Sequence, residues 1–304
     1  MGVKTVKTYN LFGTPGNNDL ETVLGTSGDD KIYPMGGWDY VDGGSGTDTV
    51  YVQGLAAGFK IIMEGSVVYV DTVSGASAYA NRVQLNDVEV VQFTDQRIDL
   101  LALAPSLTLT DEPDAQIFEG GLGLDLVVFQ GQRSDYSVER SGTKYFVTPA
   151  SPELGRDSLQ NIERLAFSDQ SLALDVSEGV AGTVVKILGL VFGPAAVQER
   201  DLVGIGLYYG SVFKDDPDGL MRLALDARLG AQHSSAQMVD LLYTNLFGQS
   251  PPESLRDEFV SWIDTGLHTQ ESLAWLAADL AENLDNIAWM GLVENGLPYD
   301  PMAV

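Results

Sequence analysis

Two periods divide the chain. Up to about residue 177, apolar positions recur at every second residue in short runs, as at Tyr136/Val138 and Tyr145/Val147, and the runs are separated by turns rich in Gly, Asp, Asn and Thr. That alternation is the period of half-buried strands. From about residue 178 the spacing lengthens, as at Leu255, Phe259 and Ile263, four apart, which predicts amphipathic helices. Ser250-Pro-Pro-Glu253 reads as a capping box with Pro at the first helical position. Ser234 and Gln237 read as a second box, opening a helix over 238–246, and Gly248 and Gly266 close the helices before them. Further helices are expected over 180–192, 219–229, 270–281 and 285–293.

The turns of residues 13–54 hide a period of nine. Three rows follow one another: GTSGDDKIY (25–33), PMGGWDYVD (34–42) and GGSGTDTVY (43–51). Position four is Gly28, Gly37 and Gly46; position six is Asp30, Asp39 and Asp48; position eight is Ile32, Val41 and Val50. A fourth copy, GGLGLDLVV, stands alone at 120–128. Glycine reaches φ > 0 without steric cost, so the first half of each row can turn tightly. The second half is a short strand whose position-eight residue points inward. Two rows make one coil turn, so loops eighteen residues apart stack and 25–30 should lie beside 43–48. Stacked loops bring hard oxygens together, the donor set Ca²⁺ prefers. The candidate ligands are the carboxylates of Asp30, Asp39, Asp48 and Asp125, with main-chain oxygens around Gly28, Gly37, Gly44, Gly46, Gly121 and Gly123.

These rows resemble the RTX, or haemolysin-type, calcium-binding repeat GGxGxDxUx. A longer repeat surrounds them. The segment ending in Val88-Glu89 and Phe93-x-Asp95 returns as Ile162-Glu163 and Phe167-x-Asp169, and is similar to the β-module often appended to RTX repeats. Glu89 and Glu163 are read as acceptors for turn amides, and residues 104–118 as a joint. In the second half, Tyr243, Asn245 and Gly248, then Phe259, Trp262 and Gly266, then Glu282-Asn283, resemble a domain of unknown function that follows RTX modules in secreted bacterial proteins and is related in pattern to phycobilisome linkers. The expected fold is therefore α+β and multidomain. Parallel β-roll and β-strand modules form two tandem units over 1–103 and 104–177, and an all-α bundle follows over 178–304. Tyr243 and Trp262 are expected as core aromatics.

Composition narrows the chemistry. The 304 residues carry 43 Asp+Glu against 17 Lys+Arg, a net charge of −26, with two His and no Cys. Such a charge disfavours nucleic acid and anionic membranes and favours cations. The absence of Cys removes disulfides and thiolate zinc sites. His233 and His268 form no HExxH pair, and neither GxSxG nor a phosphate loop is present. The apolar stretch 184–192 is shorter than the roughly 20 residues a bilayer span needs, and residues 1–12, which lack an apolar h-region, are not expected to act as a secretory signal peptide.

The expectation is a secreted, extracellular or cell-surface calcium-binding protein without catalysis. Its role would be structural, surface-associated or adhesive, and it would fold on binding Ca²⁺. The RTX resemblance implies type I export with a C-terminal signal. The helical part would meet another extracellular protein or a surface polymer. The alternatives are a carbohydrate- or polymer-acting enzyme using Asp/Glu, and a partner-docking module.

Overall fold

Short strands fill the first part of the chain and helices most of the remainder, as the change of period predicts. The structure, a computed structural model, describes residues 10–12, 20–35, 37–64, 67–73, 82–151, 154–177, 179–214 and 216–302. In chain order the elements begin with β1 (Asn10–Phe12), β2 (Leu20–Thr26), β3 (Lys31–Tyr33), β4 (Trp38–Gly44), β5 (Thr49–Tyr51), β6 (Phe59–Glu64), β7 (Val67–Thr72), β8 (Arg82–Asn86), β9 (Val90–Gln92) and β10 (Arg97–Asp99). After the single turn α1 (Leu100–Leu103) come β11 (Thr108–Thr110), β12 (Ile117–Glu119), β13 (Leu126–Val128), β14 (Tyr136–Ser141), β15 (Lys144–Pro149), β16 (Asp157–Gln160), β17 (Arg164–Ala166) and β18 (Ser171–Ala173). The helices are α2 (Val180–Ile187), α3 (Arg200–Val212), α4 (Pro217–Leu229), α5 (Ser235–Phe247), α6 (Glu253–Asp264), α7 (Gln270–Ala278), α8 (Ala281–Asn286) and α9 (Trp289–Asn295), and β19 (Leu297–Tyr299) follows them. The protein is thus of mixed α and β class. It divides into two compact units. One holds Met1–Leu109, Ile117–Leu126 and Leu159–Ile162; the other holds Thr110–Gln116, Val127–Ser158 and Glu163–Val304.

In the first unit the chain steps between two sheets, ordered β1-β3-β5-β9-β10 and β2-β4-β8-β7-β6. Successive nonapeptides place their strands so that each returns to the same sheet after eighteen residues. Leu20 pairs with Trp38 in parallel register, and Lys31 with Thr49. The position-eight residues Ile32, Val41 and Val50 are fully buried between the sheets, packed with Val83, Leu85 and Val91. The Phe-x-Asp motif has a mechanical reason. Phe93 packs on the ring of Phe59, and Asp95 Oδ1 accepts the Ala56 N–H at 2.8 Å, tying down the loop that leaves β5. In the second unit the recurring residues do the same work. Phe167 stacks on Phe129, and Asp169 Oδ1 accepts the Arg133 N–H at 2.8 Å.

The second unit contains the antiparallel β14–β15 hairpin and the run β17–β18–β19, also antiparallel. Its core includes residues of β18 and β19 (Ala173, Leu297, Tyr299) together with Val185, Leu190, Val203, Met221 and Met238 from the helical region. A buried Arg164–Asp175 ion pair lies beside this core, and Asp175 Oδ2 also accepts the Ala181 N–H at the start of α2. The Ser234/Gln237 box forms as expected and Gly248 closes α5 in the left-handed region. The Ser250 box does not form: Pro252 stands at the N-cap of α6 without a side-chain cap bond. No helix among the described residues is long and apolar enough to cross a membrane.

Candidate metal centre

The loops 25–30 and 43–48 lie directly over one another. Ser45 N–H donates to Thr26 O at 3.1 Å, Thr49 N–H to Asp30 O at 2.9 Å, and Thr47 N–H to Asp29 Oδ1 at 2.9 Å. The position-six aspartates knit the stack. Asp48 Oδ1 accepts the Asp30 N–H at 2.7 Å, eighteen residues back, and Asp30 Oδ2 accepts the Thr26 N–H at 2.6 Å within its own turn. Glu89 closes the ladder above: its Oε2 accepts the Asp48 N–H at 2.7 Å. This is the amide-binding role expected of it.

The glycines are where they are because backbone presses against backbone. A Cβ on Gly25 would stand 1.8 Å from Gly43 O, and one on Gly44 2.2 Å from Thr26 O. A Cβ on Gly46 would be 2.8 Å from the carbonyl carbon of Gly28, and Gly46 has φ +130°. Asp30, Asp48, Gly28, Gly44 and Gly46 are therefore brought together.

Asp39 and Gly37 belong to the next half-turn and do not join them. Asp39 is buried and accepts the backbone N–H of Glu21, again eighteen residues back. The lone copy at 120–128 is also stacked. Asp125 Oδ1 accepts the Leu107 N–H at 2.7 Å and its Oδ2 the Gly121 N–H at 2.6 Å, while a Cβ on Gly123 would meet Pro105 O at 2.4 Å. Residues 105–107, read from sequence as part of a joint, thus supply a rung without Gly or Asp.

One further rung was missed. Gly155-x-Asp157-x-Leu159 keeps positions four, six and eight, the pattern of Gly37-x-Asp39-x-Val41. Its Asp157 is buried and accepts the Gln116 N–H at 2.9 Å. The signal was present, but it lacks the position-one glycine.

These carboxylates are short of positive charge. Burial, opposed by the hydrogen bond from the Asp30 amide and reinforced by Glu89, Asp30 and Asp29, lifts Asp48 to about 7. Burial lifts Glu89 to about 7 and, with Glu21 adjacent, Asp39 to about 6. Asp111 rises to about 6 through burial and the nearby charges of Asp157 and Glu112. Asp48 Oδ2 and Asp39 Oδ2 are buried and accept no hydrogen bond. A buried carboxylate oxygen without a donor is costly unless a cation meets it. Among the described residues no three His, Cys, Asp or Glu side chains converge as a metal cluster. A cation here needs main-chain oxygens to complete its shell, and the stacking supplies such a carbonyl at Gly43, whose O lies with Asp30 Oδ2 against Gly25. The residues present therefore fit Ca²⁺, an all-oxygen, six- to eight-coordinate ion. The two histidines lie elsewhere, His233 Nδ1 against Gly230 O at 2.9 Å and His268 Nδ1 against Ser272 Oγ at 3.2 Å.

Comparison with known proteins adds three findings. No curated protein matches the sequence. Among solved structures, the extracellular lipase LipA from Serratia marcescens aligns with 11% identity over 51% of this chain, at a TM-score of 0.26, a likeness too slight to support an argument. The alignment spans 36% of the lipase chain. The family model for the RTX calcium-binding nonapeptide repeat (4 copies) matches residues 12–50. The chain therefore carries RTX calcium-binding nonapeptide repeats, and these indicate that it binds Ca²⁺.

Proposed function

We propose that this is a secreted calcium-binding protein of RTX type with an extracellular structural, surface-associated or adhesive role, and that it completes its folding on binding Ca²⁺. The strand region of the first unit is a parallel β-roll in this reading, and the helices form an all-α bundle serving assembly. Asp30, Asp39, Asp48 and Asp125 supply carboxylate oxygen, and the turns around Gly28, Gly37, Gly44, Gly46, Gly121 and Gly123 supply main-chain oxygen. The observation that carries the reading is the pair of buried, donorless oxygens of Asp39 and Asp48 inside the segment that matches the repeat family.

Bound Ca²⁺ supplies the missing positive charge, and its binding free energy adds to the stability of the folded chain. The chain's own part is to hold the carboxylates in register. Asp48 is fixed by the amide of Asp30, and Glu89 by the amide of Asp48, so each rung orients the one before it. In calcium-poor surroundings the same carboxylates repel one another and the turns stay loose. Export by a type I route with a C-terminal signal follows from this reading.

We propose no catalytic role. The carboxylates raised by burial, Asp39, Asp48, Glu89, Asp111 and Asp157, stand in or beside the turns, and most of them hold backbone amides there. Titration calorimetry should detect Ca²⁺ binding with affinity on the order of 10⁻⁴–10⁻³ M, the range of extracellular modules. Chelation should lower the melting temperature. Absence of both effects would end the reading.

A second reading, partner docking through the helices, is favoured by an apolar cavity of about 320 Å³ among α5, α6 and α7, lined by Tyr243, Phe247, Phe259, Trp262, Leu276 and Leu280. Tyr243 and Trp262, expected in the core, are half-buried at this cavity: Trp262 packs against the helical core and Tyr243 against the ring of Phe247. Leu276→Glu should weaken a helical-face partner while leaving Ca²⁺ binding unchanged.

A further inference from the structure

The repeat stops at residue 51, yet the stack does not. β8 and β9 continue the two sheets, with Asp42 in register with Asn86 and Thr49 with Val90. Between these register points the six residues 43–48 are answered by three, Asp87-Val88-Glu89. Asp87 takes φ +48°, a left-handed conformation that is uncommon away from glycine. The conformation has a consequence. It sends the Asp87 carbonyl onto the repeat turn beneath, so that Asp87 O lies 1.9 Å and Asp48 Oδ2 2.5 Å from the point where a Cβ on Gly43 would stand. One rung lower, Gly43 O and Asp30 Oδ2 lie 1.8 and 3.0 Å from the corresponding point on Gly25. The non-repeat turn thus presents its carbonyl as a repeat glycine would, and the oxygen it faces, Asp48 Oδ2, is the buried one without a donor.

We infer that Asp87 to Glu89 form the closing half of a Ca²⁺ site whose other half is the turn 43–48. Asp87 contributes its main-chain oxygen and Asp48 contributes Oδ2. Glu89 is a positioning residue: three residues shorter than a repeat, the rung needs the longer side chain to reach the Asp48 amide, which it meets at 2.7 Å. The site lies partly outside the repeat pattern, so the protein holds one more ion than its stacked repeats alone would. The arrangement recurs where the second run of repeats ends. Asn161 has φ +51°, and Asn161 O and Asp125 Oδ2 lie 1.7 and 2.5 Å from the Cβ point of Gly120.

The inference rests on the calcium-binding reading, and one experiment separates the two. The full-length protein and its variants are titrated with Ca²⁺ by calorimetry, and bound ions are counted by equilibrium dialysis. A β-branched residue resists φ near +50°, so Asp87→Val should bind one ion fewer per chain. Asp87→Gly keeps the conformation and the carbonyl and should bind the wild-type number. An unchanged count in Asp87→Val with a wild-type circular dichroism spectrum overturns the closing site and leaves the repeats as calcium ligands. A loss in Asp87→Gly overturns it too, because the side chain would then be the ligand. If Asp87→Val does not fold in saturating Ca²⁺, Asp48→Asn added to Asp30→Asn decides: a further ion lost beyond Asp30→Asn alone supports the site, and an unchanged count overturns it. A wild-type chain that binds no Ca²⁺ sinks the parent reading instead.

Discussion

At Gly43 a single methyl group tests the stack. Its Cβ would fall 1.9 Å from a backbone carbonyl, and backbone cannot turn aside as a side-chain tip can. Gly43→Ala should therefore destabilise the protein by about 1–3 kcal/mol or more through overpacking, read as a lower urea midpoint. Gly142, with φ +65° and nothing within 4 Å of its Cβ point, is the contrasting position. There Ala meets only the conformational penalty of φ > 0, about 1 kcal/mol.

The acids make a second test. Without metal, Asp39 stands at about 6 and Asp48 and Glu89 at about 7, above ordinary carboxylates near 4. The folded chain then binds more protons than the unfolded one between roughly pH 4 and pH 7. Stability without metal is full below pH 4 for these groups and falls as pH rises to 7. Ligation needs the deprotonated form, so Ca²⁺ affinity should move the other way and drop at least about tenfold from pH 7.5 to pH 5. A pH-independent affinity in calorimetry would contradict this. The period of nine made Asp30, Asp39, Asp48 and Asp125 legible in the sequence. Asp157 was harder to see because its rung has lost the glycine that marks the start of a row. The partner of Asp125 was harder still, since Leu107 enters through its amide and any residue has one.

At the level of the element, cap chemistry separates two serines that look alike in sequence. Ser234 Oγ accepts the Gln237 N–H at 3.2 Å, and the Gln237 side chain returns to the Ser234 amide at 2.8 Å. Ser250 makes no such bond because the chain turns into α6 only at Glu253, after Pro252. Ser234→Ala should cost about 1 kcal/mol, and Ser250→Ala should fall within about 0.5 kcal/mol of wild type. Thermal unfolding of the two variants at saturating Ca²⁺ checks both.

The same contrast shows what apolar spacing could and could not reveal. Helices α4, α5 and α7 followed from it. α3 did not, because Gly204, Gly206 and Gly210 dilute its pattern. Gly206 and Gly210 are there for close approach to α2, where a Cβ on Gly206 would meet Val184 Cγ1 at 2.6 Å and one on Gly210 would meet Val180 Cγ1 at 2.6 Å, and Gly204 lies against the backbone of Asp300, whose O would stand 1.8 Å from its Cβ. The expected helix over 285–293 is divided by Ala288 at φ +51°, a break that alanine does not announce. β19 was invisible for another reason. Three residues carry no period, and Leu297–Tyr299 becomes a strand only by pairing with β18.

For the whole molecule the question is whether calcium acts at built sites or merely as counter-ion to a chain of charge −26. Diffuse repulsion is relieved by any salt, since screening shortens to about 8 Å at physiological ionic strength. A built site responds to ion identity. Ca²⁺ accepts an irregular shell of main-chain and carboxylate oxygens, whereas Mg²⁺ demands near-octahedral geometry and gives up its water reluctantly. The turns described above offer carbonyls and carboxylates fixed by backbone stacking, an arrangement suited to the larger ion. At an excess of about 100 times Kd, one occupied site adds about 2.7 kcal/mol. In a protein of this size each kcal/mol moves the melting temperature by roughly 2–4 °C. Ca²⁺ at that excess, roughly 10–100 mM for the affinity proposed above, should therefore raise it by roughly 5–10 °C per filled site over a chelated sample. NaCl matched in ionic strength should raise it much less, and equimolar Mg²⁺ should fall between. Equal shifts from all three salts would mean that the acidic surface, and not the stacked turns, is what the ions see.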